Sequence, residues 1–226
     1  MIELKDISKH YPPDVKALSR VNLKVEPGEF VSIVGQSGTG KTTLLRLLIG
    51  EERPTKGRII IGGWDITDIR SNELPLLRRQ IGVVFQDFKL LPKKTVFENV
   101  AFALEVSGAS ISKIQKIVPQ VLKIVGLEKN HHKFPYQLSG GEKQRVVIAR
   151  SLSHKPKILI ADEPTGNLDS LNAQGIVTLL QKINSLGTTV LLVTHDREIV
   201  NSLQKRVIVL ESGKISSDLA KGKYRI

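Results

Sequence analysis

One short stretch limits the fold of this chain more than any other: Gly35-Gln36-Ser37-Gly38-Thr39-Gly40-Lys41-Thr42-Thr43, between the apolar run Phe30-Val31-Ser32-Ile33-Val34 and the leucine-rich segment Leu44 to Gly50. The pattern reads as strand, glycine loop and helix. The loop fits the spacing G-x-x-x-x-G-K-[ST] in full, in the context where that spacing has a mechanism. Glycines at 35, 38 and 40 let successive backbone N–H groups turn toward one anion, and a helix opening near Lys41 adds its positive dipole end. The Lys41 ammonium reaches phosphate oxygens, and the Thr42 hydroxyl is a ligand for Mg²⁺. The stretch therefore reads as a seat for the phosphates of a nucleoside triphosphate.

The rest of the chain reads as one α/β domain built around that loop. Met1 to Ser8 alternates Ile2, Leu4 and Ile7 with charge and Val21 to Val25 alternates apolar and polar residues, so these early strands suggest a small antiparallel sheet, and Arg58-Ile59-Ile60-Ile61 reads as a further strand. Ile81 to Phe85, Lys157 to Ala161 and Thr188 to Val193 are apolar strands, the last two separated by a helix marked by Ile176, Leu179, Leu180 and Ile183. Strands alternating with helices argue a parallel, doubly wound core. Between Lys89 and Pro156 apolar residues recur at helical spacing (Ile111, Ile114, Ile117, Val118, Val121, Leu122, Val125), with Pro119 expected to break or kink the segment. The division that follows is a nucleotide-binding core over 1–88 and 157–226, with an inserted helical subdomain over 89–156. Arg206 to Leu210 and Gly213 to Ile215 read as a hairpin-like pair, followed by a polar tail to Ile226.

Composition removes several function classes. The 226 residues contain no cysteine, which excludes disulfides and thiolate metal sites, and His131-His132 lies in a polar stretch that reads as a solvated loop. No run approaches the roughly 18 apolar residues of a membrane span, and Met1 to Asp6 lacks the basic and apolar regions of a signal peptide. The expected location is cytoplasmic. A formal charge of +12 suits nucleotide phosphates, nucleic acid or an anionic membrane surface. Aromatics at 4 %, nowhere interleaved with Lys or Arg, argue against nucleic acid.

Two further stretches carry chemistry. Ile158-Leu159-Ile160-Ala161-Asp162-Glu163 is a buried-type strand ending in two carboxylates, which suits Asp162 to a metal and Glu163 to the proton of an attacking water. Leu138-Ser139-Gly140-Gly141-Glu142-Lys143-Gln144-Arg145 holds an S-x-x-E capping box, so a helix starts there with two glycines in its first turn. That is a second anion-facing helix start. One nucleotide needs one such loop, which points to a partner subunit's nucleotide for the other.

With these residues in view, the chain closely resembles the nucleotide-binding subunits of ATP-binding cassette (ABC) systems, over essentially its whole length. The Leu138 to Glu142 stretch is like that family's signature motif. The resemblance implies a P-loop ATPase with a mixed, mostly parallel core sheet, an antiparallel β subdomain and an inserted helical subdomain. It implies that Tyr11 stacks on adenine, that Gly35 to Thr43 is the Walker A loop, and that Gln86 contacts Mg²⁺ and the attacking water. It makes Asp162 and Glu163 the Walker B pair, Asn167-Leu168-Asp169 the D-loop, and His195 the sensor of the γ-phosphate. It further implies ATP and Mg²⁺ sandwiched in a head-to-tail homodimer, each site completed by Ser139, Gly140 and Gly141 of the other copy. Within the family, Leu74 to Phe88, Lys94 to Leu104 and Ala161 to Asp169 look like a bacterial cell-division ATPase, with lipoprotein-release and macrolide-export ATPases as the alternative. That likeness implies an integral membrane partner docking near the helical subdomain, and a protein peripheral on the inner face of the cell membrane.

Overall fold

The computed structural model describes residues 1–222, so the end of the polar tail, 223–226, lies outside the described residues. The elements run β1 (Ile2–Tyr11), β2 (Val15–Val25), β3 (Phe30–Val34), α1 (Lys41–Leu48), β4 (Lys56–Ile61), β5 (Trp64–Asp65), α2 (Leu74–Gln80), β6 (Ile81–Val84), α3 (Val96–Val106), α4 (Ile111–Val125), α5 (Gly140–Leu152), β7 (Ile158–Asp162), α6 (Ser170–Ser185), β8 (Thr189–Val193), α7 (Arg197–Leu203), β9 (Arg206–Glu211) and β10 (Lys214–Leu219). They fall into two compact units, one formed by Met1–Arg78 with the segment from Asn184 onward, the other by Arg79–Ile183.

The first unit carries two sheets. The antiparallel one has the order β2-β1-β4-β5, with Leu4 opposite Leu23 on one side and Ile59 on the other. Strict alternation would bury Ile2, Leu4 and Asp6. Instead Asp6 takes a positive φ of 51° at a register shift, its amide donates to Asn22 Oδ1, and Ile7 becomes buried in its place. This bulge keeps the carboxylate in solvent and resets the pleat.

The second sheet of this unit has the order β10-β9-β3-β8, with β3 parallel to both β8 and β9. Every residue of β3 is buried, as a strand with parallel neighbours on both sides requires, and so is every residue of β8. Arg206 on β9 donates to Glu29 at 2.9 Å and to Asp218 at 2.7 Å, joining the turn before β3 to β10. That bidentate pairing holds the Asp218 carboxyl below its ordinary range.

In the second unit β6 and β7 pair in parallel, and α5 packs on β6, α3 and α4. The helical character expected beyond Lys89 resolves into α3, α4 and α5 with two 3-10 turns between the last two. The expected break at Pro119 does not occur, because α4 continues through it to a left-handed Gly126. Pro119 removes the hydrogen bond to the carbonyl of Gln115, and both residues are exposed, so that carbonyl is not sealed in the core. On the opposite face Ile114, Val118, Val121, Leu122 and Val125 are buried and hold the helix down. The short helices α2 and α7 carry no strong period and are unannounced in the sequence.

Candidate functional site

The candidate residues divide between the two units. The first holds Tyr11, Gly35 to Thr43 and His195; the second holds Gln86, Ser139 to Gly141, Asp162, Glu163 and Asp169.

In the first unit the glycine loop joins the end of β3 to the start of α1, and its glycines are required by crowding. Gly40 is the N-cap of α1 at φ 102°, and a Cβ there would stand 2.5 Å from the Ala17 carbonyl oxygen of β2. A Cβ on Gly35 would run into the Leu210 carbonyl oxygen of β9. The loop is thus fitted against two strands, and it is tied further by Gly213 N–H donating to the Thr39 carbonyl at 3.1 Å and Thr39 Oγ1 donating to the Gln36 carbonyl at 3.0 Å. No side chain caps α1, and no acidic residue lies in its first turn. Lys41 arches back over the loop, its Nζ donating to the carbonyls of Gly35 at 2.7 Å and Gln36 at 2.8 Å. Gln36, Ser37, Gly38 and Thr42 are exposed. An ammonium held over a concave run of backbone, at an uncapped helix start, fits a polyphosphate.

His195 comes to the same edge of the same sheet. Thr194 alone separates it from the end of β8, β8 lies beside β3, and Thr194 N–H donates to the Ile33 carbonyl at 3.2 Å. Ligands of open parallel sheets gather at such carboxyl ends. Tyr11 ends β1, half-buried, with Lys9 Nζ 4.9 Å from its ring centre.

In the second unit the parallel strands β6 and β7 release their next loops side by side. Asp162 is the last residue of β7, and Glu163 turns the chain with a left-handed φ of 46°, both half-buried. Such a conformation costs a non-glycine residue on the order of 1 kcal/mol or more. Gln86 lies against the loop that follows: its carbonyl accepts from Asn167 Nδ2 at 3.2 Å, and a Cβ on Gly166 would stand 2.9 Å from its Nε2. Asp162 offers hard oxygen donors of the kind that suit Mg²⁺, as the Thr42 hydroxyl does in the first unit.

The start of α5 is closed by its own residues. Ser139 Oγ accepts from Glu142 N–H at 3.2 Å, and Glu142 Oε2 accepts from Ser139 N–H at 2.8 Å. The Ser139 N–H holds the Glu142 carboxyl below its usual value, and Asn130 Nδ2 braces the other oxygen at 2.6 Å. Asp169 immediately precedes α6, its Oδ1 accepting from Asn172 N–H at 2.9 Å. The sequence reading passed over Asn130 and Asn172. The spacing Asp169-x-x-Asn172 at a helix start was the available signal for the second; Asn130 left none.

Residues 18–166 match the family model described as ABC transporter. The chain is 54 % identical to the cell division ATP-binding protein FtsE of Bacillus subtilis, covering 99 % of this chain and 98 % of that one. It is 46 % identical to FtsE of Escherichia coli over 95 % of this chain and 97 % of that one. Among solved structures, the dimeric ATP-binding cassette MJ0796 in a post-hydrolysis state with ADP and Pi is similar with a TM-score of 0.86, 38 % identity, and coverage of 99 % and 100 %. The cbiO1 protein of Clostridium perfringens, part of the cbiONQ transporter complex, is similar with a TM-score of 0.91, 33 % identity, and coverage of 97 % and 88 %.

Proposed function

We propose how this chain works from one premise: it belongs to the ABC transporter family and, within it, to the FtsE cell-division ATP-binding proteins. It is a nucleotide-binding ATPase that acts in cell division, and its dimeric relatives support a homodimer. The cell-division relatives favour that role over lipoprotein release or macrolide export.

The observation that carries the mechanism is that one chain holds two anion-facing helix starts of opposite character, one uncapped beneath an ammonium and one closed by its own capping box. The first suits a nucleotide held before the dimer forms, and the second suits one that arrives already held by another copy. Tyr11 stacks on the adenine, and Gly35 to Thr43 wrap the phosphates, with Lys41 shifting from its two loop carbonyls to β- and γ-oxygens. Thr42, Gln86 and Asp162 are the residues that would hold Mg²⁺, which would supply positive charge to offset that of the phosphates. Glu163 takes a proton from the attacking water as its oxygen bonds to the γ-phosphorus and the bond to the β–γ bridging oxygen breaks. Gln86 orients that water, and His195 donates to the γ-phosphate. Ser139, Gly140 and Gly141 of the second copy cover the same phosphates, with Asp169 beside them, so hydrolysis loosens the dimer.

This cycle moves the helical subdomain, 89–156, and through it an integral membrane partner resembling FtsX, whose control of peptidoglycan hydrolysis is the output. No helix among the described residues is long and apolar enough to cross a membrane, and we place the protein peripherally on the inner face of the cell membrane, held there by that partner. The test is sedimentation of Glu163→Gln with ATP and Mg²⁺, followed by its use as bait in detergent-solubilised membranes. An ATP-dependent dimer that retains an FtsX-like membrane protein is expected. A monomer at saturating ATP removes the sandwich, and recovery of a transport permease moves the role to export.

A further inference from the structure

The two glycines at the start of α5 are roofed by the segment that leads into α6, and one side chain does most of the roofing. A Cβ on Gly140 would stand 3.1 Å from Leu168 Cδ2. A Cβ on Gly141 would collide with Asn172 Oδ1 and lie 2.7 Å from its Cγ. Asn172 therefore fills the volume that a side chain at 141 would need. Its amide nitrogen points the other way, donating to Asp169 Oδ2 at 2.5 Å, while its backbone N–H donates to Oδ1 at 2.9 Å. Those two donors, the backbone one first, hold the Asp169 carboxyl below its ordinary range, so the grip is on a carboxylate. One residue thus has its amide oxygen on the α5 start and its amide nitrogen on Asp169.

We propose that Asn172 is a positioning residue that ties Gly141 to Asp169, so that the two partner-facing edges of this unit keep a single spacing when they close on ATP held by a second copy. This inference rests on the dimer reading above. Asn172 touches no reacting atom. It acts by filling space on one side and by a charge-assisted hydrogen bond on the other, two functions that different substitutions separate. Asn172→Ala removes both. Asn172→Ser removes the amide oxygen nearest Gly141 and keeps a shorter hydroxyl donor on the Asp169 side.

Two measurements test the tie and its purpose. In nucleotide-free protein, Gly141→Ala lowers the melting temperature by about 4–8 °C, the middle of the roughly 2–12 °C that overpacking produces in a domain of this size. The same substitution made in Asn172→Ala lowers it by less than about 2 °C, because the clashing atoms are gone. Equal losses in the two backgrounds overturn the tie. In the Glu163→Gln background, Asn172→Ala weakens ATP-dependent dimerisation by about tenfold, while mant-ATP binding to the monomer changes less than about twofold. Asn172→Ser recovers most of the dimer. Dimerisation unchanged by Asn172→Ala, with the Glu163→Gln parent dimerising normally, overturns the positioning role. A parent that stays monomeric with ATP overturns the dimer reading instead, and the melting comparison then decides the tie alone.

Discussion

The starts of α1 and α5 look alike in sequence and differ in chemistry. Both put glycines where a helix has its first amides without intrahelical partners. At α1 the N-cap is a left-handed glycine with no capping side chain, no carboxylate lies in the first turn, and the Lys41 ammonium is held overhead. At α5 the N-cap serine accepts from one of those amides, and an ionised Glu142 sits in the first turn, held below its usual pKa by the Ser139 N–H. The first start thus offers an anion more donors and a net positive charge. The second has satisfied part of its own donor set and carries a negative charge close by. The difference teaches that a shared glycine pattern does not mean a shared affinity. On the function proposed above, the first loop would hold polyphosphate alone, and the second would add contacts once a nucleotide is in place.

The largest expected effect leaves both helix starts intact. Glu163→Gln lowers steady-state phosphate release by about 10²–10⁴-fold with ATP affinity retained, and turnover within tenfold of the parent would take Glu163 out of the proton-accepting role. Next in size, Lys41→Ala weakens ATP binding by about a hundredfold in equilibrium titration, since it removes charge-assisted hydrogen bonds. If only turnover fell and affinity held, the division of labour between the two starts would be broken. Ser139→Ala is expected to do the reverse: about a tenfold loss of turnover, ATP affinity within about twofold, and about 1 kcal/mol of stability lost with the cap.

The smallest effect sharpens the contrast at α5 alone. Because the folded pKa of Glu142 is lowered, its contribution to stability is complete above the unfolded value of about 4.3 and is lost as the pH falls through the folded value. Glu142→Gln should therefore flatten that acid limb in urea titrations between about pH 5 and pH 3, with a change of at most about 1 kcal/mol at neutral pH. An acid limb as steep in the variant as in the parent would assign the pH dependence to other carboxylates, such as Asp218 beneath Arg206.

Much of the fold was legible because its signals are short-range. The β3-loop-α1 unit, the capping box at Ser139, the buried runs of β7 and β8 and the β9–β10 pair each rest on residues a few positions apart. Where the reading slipped, a longer-range effect had won. Pro119 is tolerated because the apolar face of α4 is clamped by its neighbours, and the bulge at Asp6 that brings the expected apolar Ile7 to the core rests on Asn22 of the next strand. Seven-residue α2 and α7 are too short for a period to stand out.

The amino-acid sequence by itself determined the chemistry available at each site: which loop bears the ammonium, which strand ends in paired carboxylates, and which helix caps itself. Only the tertiary structure decided what encloses those groups. That Gly35 must be glycine because β9 passes over it, that Lys41 rests on its own loop carbonyls, and that Asn172 stands over Gly141 while gripping Asp169 are facts of packing. The physical reason is separation along the chain. Local propensity and hydrophobic period act over a turn or a strand, whereas the crowding at Gly35 and at Gly141 comes from residues brought close only when the chain has folded.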